Sequence, residues 1–177
     1  MGQVRLLKKM AASRLEYRII SYLEAHNTMS LATVGMEQPH AAAVFYINRK
    51  LDLFFISSPA SRHGENLATN TQVSATINED YGDWNAIKGL QLEGDVQQLG
   101  RLSEHEDIGA GYVRKFPDVG DFFKDPDELP DLIAGKVAKV RFYKFQPSRI
   151  FYIDNSRGFG HREELVPDEV GTAEESK

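Results

Sequence analysis

The 177-residue chain is 41% hydrophobic, carries 21 basic against 26 acidic residues for a formal charge of −5, and has no cysteine. That length and apolar content suffice for one compact domain; the missing thiols exclude disulfides, Cys-ligated metals and thiolate nucleophiles, and favour a reducing, cytoplasmic setting. No run approaches the ~20 apolar residues of a membrane span, and the N-terminus lacks the apolar core of a secretory signal. Six acids and two bases fall in residues 162–177, which leaves the preceding body near neutral, at −1. General nucleic-acid binding needs a concentrated positive surface and is not expected.

Residues 1–27 read as a helix. Leu15, Ile19, Ile20 and Leu23 recur at helical spacing, and the pattern should stop near His26 and Asn27. From Thr28 the grammar changes to short β-branched and aromatic runs between turn signals: Met29 to Val34, His40 to Ile47 and Leu51 to Ser57, an antiparallel meander. Ser58-Pro59-Ala60-Ser61 then suggests a helix start, with Ser58 as N-cap and Pro59 in the first helical position. Val73, Ala75 and Ile77 alternate with polar partners in a further strand, and Ala86 to Leu99 is a long one. On that strand Lys88 shares a face with Leu90 and Leu92, and Gln91 points the other way. Ser103 to Phe116 is expected to be helical and Asp118 to Leu132 a loop. Lys136 to Tyr143 and Arg149 to Asp154 are two strands broken at Pro147. The acidic 162–177 is expected to be a disordered tail. Six or seven strands with few helices predict a mainly β, closed or partly closed antiparallel barrel over 28–161, because closure removes exposed edges.

The most informative segment runs from Phe54 to Leu67, where a buried strand empties into a helix start dressed with hydroxyl, guanidinium and imidazole groups. Taken alone, its commoner reading is a capped helix with Arg62 and His63 solvated. The other reading is an anion site, since first-turn N–H groups lack intrahelical partners and Ser61, Arg62 and His63 add donors suited to a phosphate monoester. The five histidines fall at no metal-binding spacing, and no nucleophile motif for acyl transfer is present. Asn155 to Gly160 is either a plain turn or a flap that presents Phe159.

The order of "MSLATVGMEQPHAAAVFYI", "LDLFFISSPASRHGENLATNTQVSATI" and "KGLQLEGDVQQL" resembles the pyridoxamine 5′-phosphate oxidase-like FMN-binding split-barrel family across about seventy residues. The later "AGYVRKFPD" and "RIFYIDNSRGFGHR" resemble an uncharacterised bacterial subgroup of it. The resemblance implies an FMN phosphate held by Ser61, Arg62 and His63 at the helix start that follows Ser58. It also implies a flavin ring along Ala42, Ala43, Val44, Phe45 and Tyr46 and beside Ile56 and Ser57. Lys88, and Gln91 as a compensating contact, would reach a flavin bound chiefly by the other subunit of a homodimer. Three departures stand out: His63 replaces the family lysine, Gly89 replaces a flavin-contacting glutamine, and a C-terminal Trp and Arg pair has no counterpart. The expectation is an FMN-dependent oxidoreductase that exchanges hydride with a small substrate or nicotinamide donor and is not a pyridoxamine 5′-phosphate oxidase. The alternatives are a non-catalytic flavin or haem binder and an interaction module without cofactor.

Overall fold

The computed structural model describes residues 2–35, 38–123 and 139–167. Seven strands form one sheet: β1 (Thr28–Val34), β2 (Pro39–Arg49), β3 (Asp52–Ser57), β4 (Gln72–Asn78), β5 (Lys88–Gln98), β6 (Arg141–Asp154) and β7 (Arg162–Leu165). Their order is β3-β2-β1-β4-β5-β6-β7, and β3 also pairs with β6. Six strands therefore close into an antiparallel barrel, with β7 added to the outer half of β6.

Strict alternation in β1 and β4 sends Met29, Leu31, Val73, Ala75 and Ile77 inward. They meet Leu90, Leu92, Phe55, Tyr143 and Phe145 in the barrel interior. Each large apolar side chain buried there contributes roughly 1.5–3 kcal/mol of transfer free energy. Helix α1 (Gly2–Ala25) adds Leu15, Ile19, Tyr22 and Leu23 to the same cluster. The β2–β3–β6 wall is buried on its outer side as well. There Ile47, Phe54 and Phe142 pack on Ile108 and Tyr112 of α3 (Glu106–Lys115), which explains why Phe54 and Phe55 are both buried.

Several sequence readings change. Helix α2 (Arg62–Thr69) begins after Ser61, not at Pro59: Ser61 is the N-cap and its Oγ accepts from Gly64 N. Ser58 caps only its own turn, accepting from Ala60 N. The two strands expected around Pro147 are one strand. Glu93 registers with Arg149 and Gly94 with Pro147, so Ser148 is the extra residue of a bulge. The bulge absorbs the missing proline N–H, and a Cβ on Gly94 would lie 2.2 Å from the Gln146 carbonyl oxygen. Residues 162–165, placed in a disordered tail by composition, form β7; Glu163 there accepts from Arg18 at 2.6 Å and from Arg157. The rest of that tail, from 168, lies outside the described residues, as does the loop reading from 124 to 132. Helix α3 starts at Glu106, after a 3₁₀ turn at Leu102–Glu104, and Pro117–Phe123 is also 3₁₀. No helix among the described residues is long and apolar enough to cross a membrane.

Candidate functional site

The site begins where the barrel splits. β2 and β3 pair from Arg49↔Asp52 up to Tyr46↔Phe55 and then part. Beyond the fork, Ile56 and Ser57 continue on β6, opposite Phe142 and Arg141. Residues 39–45 of β2 continue on β1 alone, from Val34↔Pro39 to Thr28↔Phe45. The second backbone edge of residues 39–45 therefore faces the split, and its N–H and C=O groups are the kind that a planar polar ligand can pair with. Val44 and Tyr46 point into the core, and Ala43 and Phe45 point outward. The Tyr46 hydroxyl donates to the Leu23 carbonyl, and burial pushes its phenol well above the usual value.

At the upper end of β3 the chain turns through Ser58 to Ser61 into α2. Ser57 Oγ lies 2.6 Å from His63 Nε2 and 3.2 Å from Ser61 Oγ, and Ser61 Oγ donates to the Ser58 carbonyl at 2.7 Å. Arg62 is exposed at the first helical position, where its N–H and that of His63 lack intrahelical partners. Gly64 lets the turn close: a Cβ there would sit 2.5 Å and 2.7 Å from the Ser58 and Pro59 carbonyl oxygens. Three hydroxyls, a guanidinium and an imidazole on a helix N-terminus fit a phosphate monoester by donor chemistry and charge.

His40, one of the five histidines at no metal-binding spacing, belongs to this cluster. Its ring lies parallel to that of His63, at 4° and 6.4 Å between centroids. Its backbone is held by Thr33, whose buried hydroxyl donates to His40 O at 3.5 Å and accepts from Asn66 Nδ2 of α2 at 3.0 Å. Burial, and secondarily the His40 charge, holds the His63 imidazole below its ordinary value.

Lys88 and Gln91 are not part of the cluster. Ser57 registers with Arg141 at the start of β6, and Lys88 registers with Asp154 at its end. Gln91 and Lys88 instead line an open hollow of about 380 Å³ with Asn78, Glu79, Tyr81 and Gly89. Gly89 is pressed on β4, where a Cβ would meet the Ile77 carbonyl at 3.1 Å, so the missing side chain has a packing cause.

Beyond Phe45, the outward face beside the fork is small on β2, β1 and β4 and ends on longer polar side chains on β5. Ala43, Ser30, Thr76 and Gln91 form one cross-strand row, and Ala41, Ala32, Ser74 and Glu93 the next, all exposed. Asn155 to Gly160 is a pinned turn rather than a loose flap. Asn155 is 9% exposed; its side chain donates to Trp84 O at 2.9 Å and accepts from Gly160 N at 3.0 Å. Phe159, between glycines with φ of 131° and 70°, is 82% exposed and stacks on Trp84 at 5.9 Å. Among the described residues no three His, Asp or Glu side chains group as a metal site.

Comparisons with known proteins give the fold and the family. A UPF0306 protein of Photorhabdus laumondii is 26% identical over 144 residues, 80% of this chain and 88% of the relative. The fold is shared with HutZ, the haem storage protein of Vibrio cholerae, at a TM-score of 0.59 and 24% identity. That match covers 75% of this chain and 89% of HutZ. A haem-binding protein of Mycobacterium smegmatis matches at a TM-score of 0.64 and 16% identity, covering 86% of this chain and 59% of that one. The family model for pyridoxamine 5′-phosphate oxidase matches residues 16–144, which contain the fork, the cradle and both of its imidazoles, and the chain belongs to that family.

Proposed function

We propose that the protein is an FMN-dependent oxidoreductase working as a homodimer, with each flavin shared between two subunits. The observation that carries the reading is the junction of β3 and α2. Ser57, Ser58, Ser61, Arg62 and His63 make a phosphate-sized set of donors there. The stretch of β2 from Ala42 to Phe45 ladders with β1 but not with β3, and lies across the split from Ile56.

The cradle binds the phosphate, and the β2 edge orients the ring by backbone hydrogen bonds to its polar rim. Bound FMN supplies hydride or single-electron transfer; the chain's own groups fix its position and tune its electronics. Lys88 and Gln91 sit too far along β6 from Ser57 to serve the same ligand in one subunit. The small residues that β2, β1 and β4 contribute to the two exposed rows allow close approach of a second copy, which would bring its Lys88 and Gln91 to this subunit's flavin. The donor is a reduced nicotinamide or a small organic substrate.

A non-catalytic flavin or haem binder is the second reading, favoured by the shared fold of the haem storage protein HutZ. Absorption spectroscopy separates the two. Purified protein reconstituted with FMN should show flavin bands and bleach anaerobically with NADH or NADPH. A Soret band after haem addition, with no retention of FMN, would overturn the flavin assignment; retention of FMN without bleaching by either donor would leave a binding protein.

A further inference from the structure

Each hydroxyl has one proton to give, and counting protons around the cradle assigns the His63 tautomer. The Ser61 proton goes to the Ser58 carbonyl, so Ser61 Oγ can only accept from Ser57 Oγ, 3.2 Å away. Ser57 spends its proton there and must accept at its 2.6 Å contact with His63 Nε2. Nε2 therefore carries a hydrogen, and neutral His63 holds its vacant lone pair at Nδ1. A second proton on the ring goes to Nδ1 and creates a cation with a free donor.

His40 faces that ring in parallel, held there through the Thr33 contacts to α2. Half-burial disfavours the charged form of His63, and the second imidazole beside it adds to the resistance. Among the described residues no carboxylate forms an ion pair with either imidazole, and the shift of His63 comes from burial and His40 alone. Arg62 and Glu65 lie on α2, Arg141 opposes Ser57 on β6, and β1 has no titratable residue. On β5, Asp95 is engaged by Thr71, and on β3, Asp52 is paired with Lys144. A dianion in the cradle provides the negative charge that the pair lacks.

We propose that His40 and His63 form a two-imidazole clamp that takes up a proton as a phosphate monoester binds and releases the ligand as pH rises. This rests on the phosphate-cradle reading above and makes His40 a ligand-binding residue of that site. Where the family lysine would hold phosphate over the whole neutral range, this pair makes retention of the cofactor conditional on pH.

The test is FMN affinity from pH 6.5 to 8.5, above the second phosphate ionisation near about 6, together with calorimetry in two buffers of different protonation enthalpy. Wild type should lose up to about tenfold in affinity per pH unit above its midpoint, the limit for one linked proton, and should take up protons on binding. His63→Lys should bind with a flat profile. His40→Asn should lower affinity at pH 6.5 and move the midpoint upward, because removing the neighbouring charge makes His63 easier to protonate; a merely structural role would lower affinity without moving it. Riboflavin, which lacks the phosphate, should bind without pH dependence. FMN that binds wild type equally at pH 6.5 and 8.5 with no proton uptake overturns the clamp and leaves the cradle standing. No FMN binding at any pH overturns both.

Discussion

The Tyr112 hydroxyl donates to the Phe45 carbonyl oxygen at 2.9 Å, at the point where β2 parts from β3, and the Phe54 carbonyl on the other branch lies equally close. One buried phenol thus bridges the fork from α3. Burial pushes its pKa far above the usual range, so the hydroxyl stays a donor at every working pH. Tyr112→Phe should cost about 1–3 kcal/mol in urea unfolding, because at least one buried carbonyl loses its partner. It should also weaken FMN binding by loosening the fork; unchanged stability would mean that water replaces the hydroxyl.

Gly64→Ala sets two effects against each other. Alanine is favoured over glycine inside a helix by about 1 kcal/mol, but here the new Cβ meets two backbone carbonyl oxygens that cannot swing aside. Forced overpacking costs about 1–3 kcal/mol, so the expected net is a destabilised protein with a widened turn and poorer FMN retention. Gly82→Ala is the control, since nothing lies within 4 Å of its Cβ position. Thermal unfolding of both variants checks the contrast, and equal midpoints would refute the steric account.

Arg62→Ala should weaken FMN binding by about 1.5–3 kcal/mol, the range for a hydrogen bond to a charged group. Its exposure puts the value toward the lower end and makes the loss shrink as salt is added. Titration of the two proteins at low and high ionic strength measures both features. Equal affinities at low salt would remove Arg62 from the cradle.

Lys115 donates to the carbonyl oxygens of Leu23 and His26, at 3.4 Å and 2.6 Å, and lies 4.4 Å from the Tyr46 ring centre. It closes the C-terminal end of α1, where carbonyls lack helical partners. Burial nevertheless pushes its ammonium from 10.5 down to about 8, with Glu24 opposing. Below pH 8 folded and unfolded chains are both protonated, and the burial cost is constant. Between pH 8 and 10.5 the folded chain loses this proton first, so its stability relative to Lys115→Met should rise with pH. The neutral amine keeps two N–H groups for the two carbonyls. Paired denaturation curves across that window check the sign, and a falling difference would show that the helix end and the Tyr46 ring outweigh desolvation.

Trp84 is the only tryptophan of the chain and is 70% exposed beneath Phe159. Phe159→Ala should change stability by no more than about 1 kcal/mol, the value of one aromatic pair, while altering the intrinsic emission. If a second subunit or its flavin reaches the Lys88 hollow, FMN should quench Trp84 strongly. Emission unchanged at saturating FMN would place the aromatic pair away from the ligand.

The period-two patterns of β1 and β4 were legible because alternation alone decides which face is buried. The start of α2 was not: Ser58-Pro59 carries a good N-terminal signature, yet the Ser61 Oγ contact to Gly64 N defines the helix. Pro147 looked like a strand break because only the register with Gly94 shows that a bulge can absorb it. Gly89 looked like a lost ligand contact, and the nearness of Ile77 gives it a packing cause.

The sequence by itself determined the barrel's apolar interior and the strand-to-helix segment rich in hydrogen-bond donors, since both depend on residues close together in the chain. Only tertiary structure decided that β2 leaves β3 at Tyr46, that Tyr112 bridges the gap, and that His40 stands against His63. Those relationships depend on registers between segments far apart in the chain. Alternation fixes the face on which a residue lies, while the hydrogen-bonded ladder fixes which residue lies beside it.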